Sequence, residues 1–120
     1  MDRPWIKFYV RLPESIGGER FVSTAFWPDG VFVHQPRLHD ARVSGTNVKK
    51  AAELRALLDA PDALQGASSG TPYYEPTYTI VVRNGEAVRE ARYCYEIEMG
   101  TACGASRTDG RILSLLLWPR

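Results

Sequence analysis

Pro-Thr-Tyr-Thr-Ile-Val-Val-Arg-Asn-Gly-Glu-Ala-Val-Arg-Glu-Ala-Arg-Tyr-Cys-Tyr-Glu-Ile-Glu-Met, residues 76 to 99, is the stretch whose reading decides the fold. Asn84-Gly85 lies between two β-prone runs. That dipeptide signals a hairpin, because both central residues of a type I′ turn take positive φ. A two-residue loop there pairs Arg83 with Glu86, Val82 with Ala87, Ile80 with Arg89 and Tyr78 with Ala91. One face then carries Tyr78, Ile80, Val82, Ala87, Ala91, Tyr93, Tyr95 and Ile97. The glutamates and arginines of the same stretch read as cross-strand charge pairs on a solvated face. The hairpin is expected at the centre of the sheet, its apolar face a platform for helices.

Upstream, Trp5 to Leu12 alternates: Ile6, Phe8, Val10 and Leu12 on one side, Trp5, Lys7, Tyr9 and Arg11 on the other. Period two predicts a half-buried strand. Arg20–Trp27 and Val31–His34 are further strands, joined by Pro28-Asp29-Gly30, a turn in which proline pre-sets φ and glycine accepts positive φ. The first third is therefore a three-stranded antiparallel meander. Gln35–Gly45 reads as a polar loop. A helix follows from about Asn47 to Asp59, capped by Ser44 or Thr46, with Val48, Ala51, Ala52, Leu54, Leu57 and Leu58 inward. Pro61 stops it, and 65–72 is a small-residue loop.

After the hairpin, Thr108 or Asp109 is placed to cap a short helix through Leu117. Periodicity alone leaves a buried strand open for so short a run. The order β-β-β-α-β-β-α predicts an α+β fold: an antiparallel sheet of about five strands, with one long and one short helix on one face. The 120 residues fit a single domain, 1–120.

A net charge of +1, without a run of five like charges, argues against a nucleic-acid or membrane surface built on bulk charge. The start has no basic segment leading into an apolar run, and Leu115–Trp118 is far too short to span a bilayer, so the expected compartment is the cytoplasm. In a reducing compartment Cys94 and Cys103 are expected as thiols rather than a bridge.

Catalytic patterns are absent. There is no Gly-x-Ser-x-Gly elbow, no phosphate-cradling glycine loop, and no base beside either cysteine. His34, His39 and Asp40 are the nearest approach to a metal or acid–base cluster, yet five-residue spacing does not put two histidines on one helical face. No metal or other cofactor is expected. Arg37, Arg42, Lys49 and Lys50 form a local basic group and define an alternative, a nucleic-acid antagonist. The chain has three Trp, six Tyr and four Phe, more than its core needs at every position, so aromatics at loop tips are candidate partner contacts. The residues selected are Trp27, Asp29, Tyr73 and Tyr74.

Three pieces of the chain carry a family likeness. They are Glu53-Leu54-Arg55-Ala56-Leu57-Leu58-Asp59-Ala60, then Tyr78-Thr79-Ile80-Val81-Val82-Arg83-Asn84-Gly85, then the Leu-rich C-terminal segment. Over about half its length the chain resembles the small bacterial emfourin-type proteins, cytoplasmic inhibitors of thermolysin-like metalloproteases. The resemblance implies an α+β, inhibitor-like binding protein and transfers no functional residue. The expectation is a non-enzymatic protein that acts on another protein as an inhibitor, immunity or antagonist factor. The alternative is a small-molecule or enzymatic domain built on His34, His39 and Asp40.

Overall fold

The computed structural model describes residues 3–12, 17–65, 77–96, 101–103 and 105–120. Seven strands and two helices follow in the order β1 (Ile6–Arg11), β2 (Arg20–Phe26), β3 (Val31–His34), β4 (Val43–Thr46), α1 (Val48–Leu58), β5 (Thr77–Asn84), β6 (Ala87–Glu96), β7 (Thr101–Cys103) and α2 (Arg107–Leu117). The fold is α+β, with an antiparallel sheet ordered β4-β3-β2-β1-β5-β6-β7.

Alternation along β1 sets the core. Ile6 and Phe8 are fully buried and face Phe26 and Thr24 of β2 on one side, Val82 and Ile80 of β5 on the other. Both helices lie on this face. Ala51, Leu54 and Leu58 of α1 and Ile112, Leu113, Leu115 and Leu116 of α2 complete one cluster with Phe32, Tyr78, Ala91 and Tyr93. The opposite face of the sheet has no helix over it among the described residues. At about 1.5–3 kcal/mol for each large side chain, this single cluster is the main favourable contribution to folding.

Asn47 caps α1, its Oδ1 accepting from the Lys50 N–H at 3.0 Å. Ser106 caps α2 by accepting from the Asp109 N–H at 3.0 Å. The caps expected at Ser44 or Thr46 and at Thr108 or Asp109 are displaced because those residues have other tasks. Ser44 and Thr46 belong to β4, and Thr108 donates its hydroxyl to Asp62 at 2.7 Å. Asp109 is fully buried and accepts from the Leu64 and Gln65 N–H groups at 2.6 and 3.1 Å. Leu64 has a left-handed φ of 56°, so this carboxylate holds a strained turn after α1. Residues 112–117 are helix, which settles the alternative of a buried strand.

Three sequence expectations need correction. The hairpin register is Asn84↔Ala87, Val82↔Arg89, Ile80↔Ala91 and Tyr78↔Tyr93. Gly85, at φ 64°, is the first residue of the two-residue loop, and no positive φ occurs at Asn84. Positive φ at the first central position alone suits a type II′ turn, which uses Gly there and leaves Asn84 in the strand. The pairing slides by two, an even step, so the faces are preserved. Arg89, expected with the other arginines on the solvated face, lies on the inner one, opposite Val82. The hairpin is also not the middle of the sheet: β1 is, with three strands on each side. Finally, part of the expected loop 35–45 is strand, because β3 leaves an edge and Gly45 permits pairing with it. A Cβ at Gly45 would stand 2.8 Å from Cζ of Phe32.

Candidate functional site

The N-terminal run, the β2–β3 turn, α1 and the hairpin tip meet around Trp5. Pairing continues one step beyond β1: the Trp5 N–H donates to Phe26 O at 2.8 Å, and the Arg83 N–H donates to Trp5 O at 2.9 Å. Trp5 is thereby held between β2 and β5, half-buried, its indole packed on the core cluster. Arg55, exposed on α1, places its guanidinium 5.1 Å from the indole centroid and donates to Pro28 O at 2.6 Å. Two partners on different elements fix that side chain. Cation–π attraction adds about 0.5–1 kcal/mol at such an exposed site.

Beside Trp5 opens a cleft of about 620 Å³ lined by Arg3, Pro4, Trp5, Pro28, Arg55, Arg83, Asn84 and Gly85. Three arginines line it, and no acidic residue does among the described residues. It adjoins, through Trp5, Arg55 and Asn84, a second hollow of about 320 Å³ that reaches Leu58, Asp59, Val82, Ala87 and Arg89. Arg89 donates to Leu58 O and Ala63 O at 3.2 and 3.3 Å. A cation at these carbonyls complements the negative end of α1. The cleft therefore has a positive mouth and an aromatic wall, and Asp59 is the one acidic residue among the described lining of the adjoining hollow. Guanidinium keeps its charge throughout the ordinary pH range and offers paired N–H donors that match a carboxylate or phosphate. The described lining offers donors and an apolar ring, the equipment of recognition.

The expected site residues fall around this cleft. Trp27 is half-buried and closes the β2–β3 turn: its N–H donates to Val31 O, and its carbonyl accepts from Gly30. Asp29 is exposed and accepts from the Val31 N–H at 3.2 Å, a use internal to the turn. Pro28, between them, forms part of the cleft wall. Tyr73 and Tyr74 lie outside the described residues.

His34, His39 and Asp40 are not assembled into a site. His39 and Asp40 are exposed on the β3–β4 loop, whereas His34 is buried. Its Nδ1 lies 2.9 Å from Thr24 Oγ1 and 3.1 Å from Ser23 O. Thr24 gives its own hydroxyl proton to Leu116 O at 2.6 Å, so the proton between the first pair belongs to Nδ1. Burial pushes the His34 pKa below the ordinary 6.5; the Ser23 carbonyl opposes that shift, and the Arg120 charge reinforces it. This histidine ties β2 to β3 as a neutral donor. Among the described residues no group of three His, Cys, Asp or Glu is placed to hold a metal ion.

Of the basic group, Lys50 is occupied: its Nζ donates to the carbonyls of Trp118 and, at 2.7 Å, of Arg120. Arg37, Arg42 and Lys49 are exposed and separate from the cleft lining. No helix among the described residues is long and apolar enough to cross a membrane. No protein-family model, no curated protein and no solved structure matches the chain.

The cleft residues were not selected from the sequence because they come from four separated segments. One signal was present. Arg89 interrupts the apolar series 78, 80, 82, 87, 91, 93, and a charge on an inner face implies a partner there or an opening.

Proposed function

We propose that this is a small non-enzymatic binding protein that acts on another protein, holding an acidic segment of that partner in the Trp5 cleft. The observation that carries the reading is that Arg3, Arg55 and Arg83 line one cleft with a half-buried tryptophan, the Arg55 guanidinium lying over its ring. Trp and Arg are the side chains most enriched where truncation costs an interface most, and a pocket at the centre of a contact is where they act. A partner carboxylate would receive paired N–H bonds, while the indole covers an apolar neighbour. The Pro28–Gly30 turn, with Trp27 and Asp29 beside the cleft wall, supplies a rim.

The role is that of an inhibitor, immunity or antagonist factor. The sequence likeness to emfourin-type inhibitors supports this role. Affinity capture with the wild-type chain and with Arg55→Gln as baits tests the reading. The expected result is a partner retained by the first, depleted with the second, and bound directly when purified. Identical recovery with both baits, or a purified partner that fails to bind, rejects the cleft as the contact.

A further inference from the structure

The face of the sheet away from the helices holds a second cationic hollow, far smaller than the cleft. Tyr9 on β1 stands opposite Thr79 on β5, and Thr79 stands opposite Arg92 on β6. Further along β1, Arg11 stands directly opposite Arg20 on β2. These five side chains line a depression of about 100 Å³. The Arg20 guanidinium lies over the Tyr9 ring, 4.0 Å from its centroid. Thr79 is buried at 7% exposure, while Arg11, Arg20 and Arg92 are exposed around it.

Two features of this arrangement work against stability. Like charges placed directly opposite on neighbouring strands repel, and Arg11 and Arg20 are such a pair. A third arginine, Arg92 of β6, lines the same hollow. Arg92 does meet Glu90, its Nε donating at 3.1 Å, yet both side chains are well exposed and sit on one strand. Such surface pairs contribute little. Glu90 is not part of the lining, and no acidic residue is among the described lining. An anion seated between the three guanidiniums would relieve the repulsion and accept their paired donors.

We propose that this hollow binds a tetrahedral oxyanion of the phosphate class, as free phosphate or as the phosphoryl group of a small monoester. A hollow of about 100 Å³ matches one such group. Three arginines around one hollow suit three or four acceptor oxygens better than they suit a planar carboxylate with two. Thr79 at the floor offers a hydroxyl, and the Tyr9 ring keeps Arg20 in place.

The test is thermal unfolding of the whole chain with inorganic phosphate, with O-phosphoserine and with chloride at matched ionic strength. A ligand that binds only the folded state raises the midpoint with the logarithm of its concentration. The expected result is a saturable rise with phosphate or phosphoserine beyond that with chloride. Phosphoserine giving the larger rise identifies a monoester as the natural form, and phosphate giving the larger rise identifies the free ion. Arg11→Gln, and separately Arg92→Gln, should weaken binding by about tenfold or more, the scale of one lost charge-assisted contact. Because Arg11 faces Arg20, Arg11→Gln should leave the midpoint without phosphate unchanged or higher, which separates loss of binding from loss of fold. Two results overturn the proposal. One is no rise beyond chloride. The other is a rise that survives Arg11→Gln and Arg92→Gln and disappears with Arg55→Gln, which would seat the anion in the Trp5 cleft.

Discussion

Replacing Thr24 with valine removes one hydroxyl and keeps the shape of the side chain. Thr24 is fully buried at the junction of β2, β3 and α2. Its hydroxyl donates to Leu116 O at 2.6 Å and accepts from His34 Nδ1 at 2.9 Å. Leu116 lies in the last turn of α2, where carbonyls have no partner within the helix. Valine therefore leaves that carbonyl without its donor, while the His34 N–H keeps Ser23 O at 3.1 Å. Leaving a buried group unsatisfied costs about 1–3 kcal/mol, and since one acceptor is orphaned and the other donor is only weakened, about 2 kcal/mol is expected. For a domain of this size that lowers the midpoint by roughly 6–12 °C. Thr24→Ser keeps the hydroxyl and loses one methyl, which should cost about 1 kcal/mol. Urea unfolding of the three proteins reads both effects as changes in midpoint at constant slope. If Thr24→Val lies within about 0.5 kcal/mol of wild type, or Thr24→Ser is the worse of the two, the hydroxyl does not bind α2 to the sheet as described.

Other perturbations follow from the same geometry. Since His34 has a lowered folded pKa, the unfolded chain takes up its proton first; stability should be full above the ordinary value of 6.5, decline as pH falls through 6.5 towards the folded value, and lose this slope in His34→Gln, as unfolding at a series of pH values will show. Gly30 has a φ of 95°, and a Cβ there would stand 2.9 Å from the Val48 Cα, so Gly30→Ala should destabilise by about 2 kcal/mol or more in the same urea assay. Asp109→Asn offers one carbonyl oxygen where a buried carboxylate satisfied two part-buried N–H groups, and should cost about 1–3 kcal/mol with faster proteolysis near Leu64.

The parts of the fold governed by local patterns were legible. Alternation at Ile6, Phe8 and Val10, the Asn-Gly dipeptide and the leucine spacing of both helices specify their elements directly. What a local pattern does not contain is relative placement. Gly85 alone supplies the positive φ, and that moves the register by two, an even step that leaves every face unchanged; Arg89 faces inward in either register, and only its charge makes it read as solvated. β4 carries little pattern of its own: it exists because β3 has an open edge and Gly45 lets a chain cross Phe32. β7 is short and likewise owes its place to the strand beside it. The candidate site was the least legible part, since Arg3, Pro28, Arg55 and Arg83 meet through the β1–β5 pairing and the packing of α1. His34 shows the converse: a histidine near polar residues in sequence turns inward because position 34 shares a face with Phe32.

The central claim is that Trp5 and its arginines recognise an acidic segment. Its most direct test is fluorescence anisotropy of a labelled Asp/Glu-rich peptide carrying one phenylalanine, titrated with the wild-type chain, with Trp5→Phe and with Arg3→Gln/Arg83→Gln. A glutamine-for-acid version of the peptide is the control. The account predicts saturable binding that weakens with added salt, is absent with the control, and falls by about tenfold or more in the double arginine variant. Equal binding of both peptides, or wild-type affinity in the arginine variant, would contradict it.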